Sequence, residues 1–121
     1  MVEIKEERFK DWKPPEFFHN IGNLYYTKYG WWVTCPENLR LGKGCDIGCG
    51  TYINAQYIVY IGENAQIGAN CSIYSYDSER NFIGTIEIQK NVKIGANTVI
   101  LPLNDKVHVI DRNIKAGSVV Y

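Results

Sequence analysis

The sequence lacks any run of apolar residues that approaches the roughly 18 needed by a membrane-spanning helix, and its only methionine is its first residue. The first twelve residues, MVEIKEERFKDW, alternate charged and bulky side chains and contain no apolar stretch typical of a signal peptide. Neither sign of charge is in excess, since thirteen basic residues balance thirteen acidic ones, whereas proteins that bind nucleic acid usually carry a basic excess. We therefore expect a cytoplasmic protein whose partners include neither a membrane nor a nucleic acid.

Residues that could bind a metal are few and widely spaced. The cysteines are Cys35, Cys45, Cys49 and Cys71. They form no Cys-x-x-Cys pair, and the two histidines, His19 and His108, lie far from them in sequence, whereas zinc sites need closely spaced ligands. A disulfide framework is disfavoured because the sequence has no secretory signal. We expect no metal site and interpret the cysteines as buried small residues.

The first part of the chain is rich in aromatic residues, and Pro14 and Pro15 would end any helix that begins before them. We predict a short helix over residues 3–12 and loops with short extended pieces over 13–34. Aromatic side chains in such a segment usually pack against a core; the alternative is a contact between subunits or a wall for an acceptor. We interpret residues 1–34 as an aromatic cap on the domain that follows.

From residue 35 onwards the sequence repeats with a period of six. The units are LGKGCD (41–46), IGCGTY (47–52), INAQYI (53–58), IGENAQ (61–66), IGANCS (67–72), IYSYDS (73–78), IQKNVK (88–93), IGANTV (94–99), ILPLND (100–105) and IKAGSV (114–119). Every unit opens with leucine or isoleucine, the second residue is often glycine, and the fifth is small or β-branched in most of them. A truncated VY at 59–60 and an irregular stretch after residue 78 interrupt the period.

This period excludes an amphipathic helix, whose apolar face returns about every 3.6 residues. It fits short strands joined by tight bends, with one branched side chain per strand pointing inwards and glycine or asparagine at the bends. Such coils stack and bury their apolar faces only against their neighbours, so the ends of the stack need caps. We predict an all-β parallel coil over residues 35–121, capped at one end by the N-terminal segment and uncovered at the other, near Val119, Val120 and Tyr121.

The segments IGENAQIGANCSI and VKIGANTVILP resemble the hexapeptide-repeat acyltransferases, and YINAQYIVYIGENAQIGANCSIYSYDSE is similar to their sugar and xenobiotic acetyltransferase branch. This resemblance, which covers residues 35–121, implies a left-handed parallel β-helix with three hexads per coil. It also implies a homotrimer that holds acetyl-CoA in the groove between adjacent prisms. The sequence departs from the branch in three ways: the loop after residue 74 has no histidine, the frame is lost over 100–113, and no tail follows Tyr121.

The resemblance places the acceptor chemistry on residues 75–79 and a polar contact at Asn54. Because a hydroxyl acceptor usually needs a base such as histidine, its absence from this loop favours an amino group as acceptor. We assign polar assistance to Asp77 and Glu79, with Asn54 positioning the acceptor; the alternative is that 75–81 is a solvated loop excluded from the coil. His108, in a context of lysine, aspartate and arginine, is either a surface residue or a catalytic one that approaches a neighbouring subunit's loop.

Positive charge collects in the last quarter of the chain, where lysine and arginine would suit the phosphates of coenzyme A. Acidic side chains dilute this charge, so an ordinary solvated face is the alternative. The resemblance also suggests that backbone amides beside small residues line the pantetheine arm. The coenzyme-binding residues that we predict are Lys93, Arg112 and Lys115 for the phosphates and Gly95, Ala96 and Gly117 for the arm.

These residues and the resemblance lead to two candidate functions. The first is an acetyl-CoA-dependent acetyltransferase that acts on the amino group of an amino sugar or a nucleotide-linked amino sugar. The second is a non-catalytic β-helix that serves as a scaffold or oligomeric binding module, which the missing loop histidine and the broken frame favour. A zinc-dependent carbonic anhydrase built on the same repeat needs three histidine ligands, and this chain has two histidines.

Overall fold

The computed structural model describes residues 17–22 and 24–121, so the helix predicted over 3–12 lies outside the described residues. The described part is all-β: it has sixteen short strands and one 3-10 helix, Pro36–Asn38, and no α-helix. None of its helical residues form a segment with the length and apolarity needed to cross a membrane. The strands are β1 (Phe17–Ile21), β2 (Leu24–Thr27), β3 (Trp32–Thr34), β4 (Leu39–Leu41), β5 (Asp46–Ile47), β6 (Tyr52–Asn54), β7 (Val59–Ile61), β8 (Gln66–Ile67), β9 (Ser72–Tyr74), β10 (Tyr76–Asp77), β11 (Phe82–Ile83), β12 (Ile86–Ile88), β13 (Lys93–Ile94), β14 (Val99–Ile100), β15 (His108–Ile110) and β16 (Val119–Val120).

Most of the strands belong to three parallel sheets that the chain visits in cyclic order. The first sheet contains β3, β6, β9, β14 and β16, the second β4, β7, β12 and β15, and the third β5, β8 and β13. Each visit to a sheet adds a strand beside the strand of the previous turn. The prediction of an all-β fold with parallel pairing is therefore confirmed, and the period of six reflects the passage from one sheet to the next.

Branched apolar side chains fill the interior of the coil. Val33, Ile53 and Ile73 of the first sheet are fully buried, and full burial of such a side chain contributes about 1.5–3 kcal/mol to stability. The second sheet differs because its strands turn two residues inwards, as Val59 and Ile61 show. The segment at 59–60, interpreted from sequence as a truncated unit, is thus a complete strand. It lengthens the first two turns to twenty residues, the separation of Val33, Ile53 and Ile73.

The two positions of the hexad that favour glycine do so for different reasons. The fourth position has a positive φ in every regular unit, where glycine or asparagine relieves the strain of the left-handed region. These residues are Gly44, Gly50, Asn64, Asn70, Asn91, Asn97 and Gly117. The second position, by contrast, is crowded: a Cβ on Gly68 would lie 2.5 Å from the backbone nitrogen of Ala96 in the next turn. Glycine is required at Gly68 because the next turn stacks against it in backbone contact.

The fifth position carries a ladder of hydrogen bonds at the corner between the third and first sheets. Each donor side chain bonds to the carbonyl of the second hexad position one turn later. The pairs are Thr51 with Gly68 (2.9 Å), Cys71 with Gly95 (3.3 Å) and Thr98 with Lys115 (3.3 Å). Burial raises the pKa of the Cys71 thiol, which keeps the proton that it donates. Cys45 and Cys71 are buried as predicted, whereas Cys49 is exposed because it occupies the outward third position.

The N-terminal strands extend the first sheet. Strands β1 and β2 form an antiparallel hairpin, and β2 pairs with β3. Trp31 is fully buried and lies in register one turn below Thr51, where its indole fills the end of the core. At the opposite end Val119 and Tyr121 are 57% and 72% exposed. The boundary predicted at residue 34 stays a prediction, although β3 already pairs with β6 in the parallel part of the sheet.

Candidate functional site

The insertions in the repeat lie at one corner of the coil, between the first and second sheets; the connection from Ile110 to Ile114, between the second and third sheets, is instead two residues shorter than a hexad. Val33 and Leu39 are six residues apart, as are Ile53 and Val59, but the aligned Ile73 and Ile86 are thirteen apart and Ile100 and His108 eight. We call this the variable corner and define it as residues 35–38, 55–58, 75–85 and 101–107. The other two corners, whose connections follow the hexad pattern except in the last turn, are the regular corners.

The two insertions at the variable corner pack against each other. Residues 75–85 form a hairpin of β10 and β11, closed by the amide of Gly84 on the carbonyl of Ser75 (3.0 Å). The amide of Asp105 in the second insertion donates to the carbonyl of Ile83 (2.9 Å). The amide of His108 donates to the carbonyl of Thr85 (2.8 Å). These bonds join the two interruptions of the repeat into one local structure.

Asn54 and Ser75 hold the base of this corner together. The Ser75 hydroxyl is fully buried, donates to the Asn54 carbonyl (2.8 Å) and accepts a hydrogen bond from the amide of Tyr57 (2.9 Å). The side-chain oxygen of Asn54 accepts from the amide of Gln56 (3.1 Å) and lies 3.2 Å from the Ser75 hydroxyl. The alternative that residues 75–81 are wholly solvated is therefore wrong at Ser75. These contacts use Asn54 to fix the chain between β6 and β9.

Asp77 is engaged in a compact set of contacts within the hairpin. One carboxylate oxygen accepts from the amides of Glu79 (3.1 Å) and Arg80 (3.4 Å), and the other pairs with the Arg80 guanidinium (2.6 Å). The Arg80 hydrogen bond is the main cause that lowers the pKa of Asp77 below its usual range. Asp77 is thus a weak base, and its contacts favour a structural role over proton uptake. Glu79 is exposed.

His108 lies at an inward position of the second sheet. Its partners in register are Ile86 and, one turn earlier, Val59, so an imidazole stands in a row that is otherwise apolar. It is 8% exposed, which corrects the interpretation of His108 as a surface residue. Its Nδ1 lies 2.7 Å from the carbonyl oxygen of Leu101.

This contact defines which ring nitrogen carries the hydrogen in the neutral imidazole. A carbonyl oxygen only accepts hydrogen bonds, so Nδ1 carries the hydrogen and Nε2 has the lone pair. Among the described residues none bonds to Nε2 of His108, and this atom is not fully enclosed. The neutral side chain therefore has an unbonded lone pair at Nε2, at the edge of the variable corner.

The predicted catalytic residues all lie in or beside the variable corner. Asn54 ends β6 just before it, Asp77 and Glu79 lie in its hairpin, and His108 begins β15 just after it. The sequence groups Asn54 with 75–81 but gives no reason to bring His108 to the same corner. It also gives no sign of the role of Arg80, whose guanidinium joins the two insertions. No sequence signal identifies His108 as an inward residue, because alternation alone would bury Val107 and Val109, which the structure exposes.

The predicted coenzyme-binding residues lie elsewhere on the coil. Lys93, Gly95 and Ala96 line a depression of about 480 Å³ on the third sheet, together with Gln66 and Asn113. Arg112 and Lys115 line a second depression of about 400 Å³, beside Ser118 and Tyr121. The amides of Gly95 and Gly117 already donate to the carbonyls of Ile114 (2.8 Å) and Ala96 (2.9 Å).

These positions suit an anionic ligand only through their side chains. Lys93, Arg112 and Lys115 are exposed and offer positive charge, which fits the phosphates of coenzyme A. The two bonded amides offer no free donor to a pantetheine arm, so Gly95 and Gly117 would serve by their small size alone. Within residues 17–22 and 24–121 there is no group of three potential metal ligands.

Comparison of the chain with protein-family models, with curated proteins and with solved structures finds no match.

Proposed function

We propose that the protein transfers an acetyl group from acetyl-CoA to the amino group of a sugar, in the manner of the hexapeptide-repeat acyltransferases that its repeats resemble. We infer in addition that the coil is a left-handed β-helix and that the protein acts in the cytoplasm. The observation that carries the proposal is His108, whose Nε2 has the lone pair and is unbonded in the part of the chain that the structure describes. This nitrogen supplies the base that the hairpin loop lacks.

The proposed chemistry requires a proton acceptor next to the reacting amine. Acetyl-CoA supplies the acetyl group: its carbon–sulfur bond breaks, the new carbon–nitrogen bond forms, and the coenzyme leaves as a thiol. His108 takes the proton from the sugar amine at Nε2, while Leu101 holds Nδ1, and passes it to the departing sulfur. A positioned base of this kind contributes about 10²–10⁴-fold to the rate.

The other corner residues position the partners of the reaction. Asn54 fixes the base of the corner through Ser75, and Asp77 is paired with Arg80. Glu79 is exposed at the tip of the hairpin, where its carboxylate would attract the ammonium form of an amino sugar. A sugar that carries an amino group is for this reason the proposed acceptor.

The separation of the corner from the coenzyme-binding residues supports a homotrimer. The variable corner joins the first and second sheets, whereas Lys93, Gly95 and Ala96 lie on the third. One prism therefore does not bring its own coenzyme residues to its own variable corner. A neighbouring copy that presents its third sheet to this corner would complete the site, and His108 would lie between the two copies.

The proposal is tested by calorimetric titration of the full chain with acetyl-CoA, together with its mass in solution. We expect a trimer with one site per protomer and a dissociation constant within the usual enzyme range of about 1 μM to 1 mM. Release of coenzyme thiol should then follow addition of glucosamine and not of glucose, which serves as the matched sugar without an amine. No heat at millimolar acetyl-CoA would reject the acetyltransferase and leave the scaffold as the function to pursue.

A further inference from the structure

We propose that Arg80 is a positioning residue for His108: it fixes the backbone of Pro102, and through it the Leu101 carbonyl that holds the imidazole in its Nδ1–H tautomer. The inference rests on the proposed function for its effect on catalysis. Its structural part concerns only contacts within the variable corner and can be measured without any turnover.

The Arg80 guanidinium is itself restrained by its neighbours. Its Nε donates to the Asp77 carboxylate (2.6 Å), and its central carbon lies 4.5 Å from the centre of the Phe82 ring. The ring of Tyr121 lies 5.6 Å from the same carbon. A planar group that is paired along one edge and placed over an aromatic face is restricted in orientation. Asp77 and Phe82 therefore direct the remaining donors of Arg80.

One of these donors forms a bond between the two insertions. Nη2 of Arg80 donates to the carbonyl oxygen of Pro102 at 3.3 Å. Pro102 itself is buried. The hydrogen bond ties the hairpin, which carries Asp77 and Arg80, to the loop that precedes β15.

The Pro102 carbonyl is mechanically coupled to the Leu101 carbonyl. Only the φ and ψ torsions of Pro102 separate these two groups, and the proline ring fixes φ near −65°. An anchor on one carbonyl therefore restricts the other. The amide of Leu101 is itself held by the carbonyl of Val120 (2.9 Å), so Leu101 is restrained on both sides. Its carbonyl accepts the hydrogen of His108 Nδ1, at 2.7 Å.

Loss of the Arg80 anchor should release this arrangement. The Leu101 carbonyl gains freedom to turn away, and Nδ1 loses its fixed acceptor. The neutral imidazole then populates both tautomers, and part of the population presents an N–H instead of a lone pair at Nε2. A base that is misplaced or in the wrong tautomer is expected to lower kcat/KM by about 10- to 100-fold.

The test compares the full-length variants Arg80→Met and Arg40→Met. Arg40 is a matched control because it is also exposed and also donates to a backbone carbonyl, that of Glu37 (2.6 Å), but lies in the first turn. Nitrogen-15 NMR of the histidine rings reads the tautomer directly. We expect a single Nδ1–H tautomer for His108 in the wild type and in Arg40→Met, and a mixture of tautomers in Arg80→Met. Arg80→Lys should be intermediate, because a single ammonium group does not span Asp77 and Pro102 as a guanidinium does.

The outcomes separate the two proposals. If Arg80→Met and Arg80→Lys both keep the wild-type tautomer of His108, the positioning role is overturned, whatever their activity. If circular dichroism shows that Arg80→Met does not fold, Arg80→Lys is the test: a mixture of His108 tautomers supports the positioning role, and the wild-type tautomer overturns it. If the tautomer shifts as expected but the wild type transfers no acetyl group, the positioning role stands and the proposed function fails.

Discussion

At the regular corners the backbone of each turn contacts that of the next turn, which restricts the residues allowed there, whereas at the variable corner the connections differ in length from turn to turn. The second hexad position of a regular corner has backbone atoms within 2.4–2.6 Å of where a Cβ would be, and the fourth has a positive φ. At the variable corner the same chain accepts insertions at 75–85 and 101–107 without losing the pairing of the strands on either side. Strict repetition is thus a property of two corners and not of the whole coil.

The contrast between the corners also locates the chemically useful groups of this fold. Regular corners contain small residues whose polar groups are used in bonds between turns, as those of Gly95 and Gly117 are. The variable corner and the strand after it gather the buried Ser75 hydroxyl, the Asp77–Arg80 pair and His108, whose Nε2 is unbonded among the described residues. Rigid sheets on both sides hold this corner, which is the arrangement in which loops usually carry function.

The largest effect is expected from a side chain at the crowded hexad position. Gly68→Asn would place a Cβ 2.5 Å from the Ala96 nitrogen, and a backbone atom in a stacked turn does not move aside. We expect a loss of more than about 3 kcal/mol in the free energy of unfolding by urea, or failure to fold. Gly117→Asn is the matched control, since nothing lies within 4 Å of its Cβ position and asparagine tolerates its φ of +77°, so the loss should be about 1 kcal/mol or less. Equal losses in both variants would contradict the stacking explanation.

A smaller effect is expected from the ladder at the fifth position. Thr51→Val keeps the shape of the side chain but removes the bond to Gly68 and leaves the buried amide of Cys71 without its hydroxyl acceptor. The expected loss is about 1–3 kcal/mol in the urea unfolding free energy. Ser118→Ala, which removes a bond within the last turn only, should cost less. A neutral Thr51→Val would show that the ladder does not contribute.

The smallest effect on stability is expected at the variable corner, from Asp77→Asn. The pKa of Asp77 is lower in the folded protein than in the unfolded chain. The Asp77 carboxylate therefore stabilises the folded protein at a pH above the unfolded-state pKa, and this stabilisation is lost as the pH falls through the folded-state pKa. Asp77→Asn should therefore lower the urea midpoint slightly at pH 7 and match the wild type once the pH is well below about 4. A difference that persists unchanged into acid would assign the effect to something other than the ion pair.

The sequence predicts the regular part of this molecule well. The hexads of the regular corners translate directly into strands and bends, because each position has one steric requirement. The prediction of a truncated unit at the strand Val59–Ile61 is wrong because a strand with two inward residues breaks a strict count of six. The last turn also departs from the count of six, since Ile110 and Ile114 are only four residues apart. There the side-chain oxygen of Asn113 accepts the hydrogen bond of the Lys93 amide.

The candidate site is predicted less completely, for a physical reason. Asn54, Asp77 and Glu79 follow the repeat and are identified by resemblance, but the roles of Asn54 and Asp77 depend on partners that spacing does not reveal. His108 and Arg80 meet through Leu101 and Pro102, which belong to an insertion with no period. Contacts between two insertions are fixed by packing at the corner and leave no repeat in the sequence.

The role of His108 as the base of an acetyl transfer is tested most directly by the rate of thiol release from acetyl-CoA in His108→Asn. Asparagine retains an N–H donor for the Leu101 carbonyl but has no basic nitrogen. We expect a fall of about 10²–10⁴-fold in kcat with glucosamine as acceptor, and no change in His19→Asn, the control at the other histidine. A His108→Asn variant that retains the wild-type rate would contradict this role.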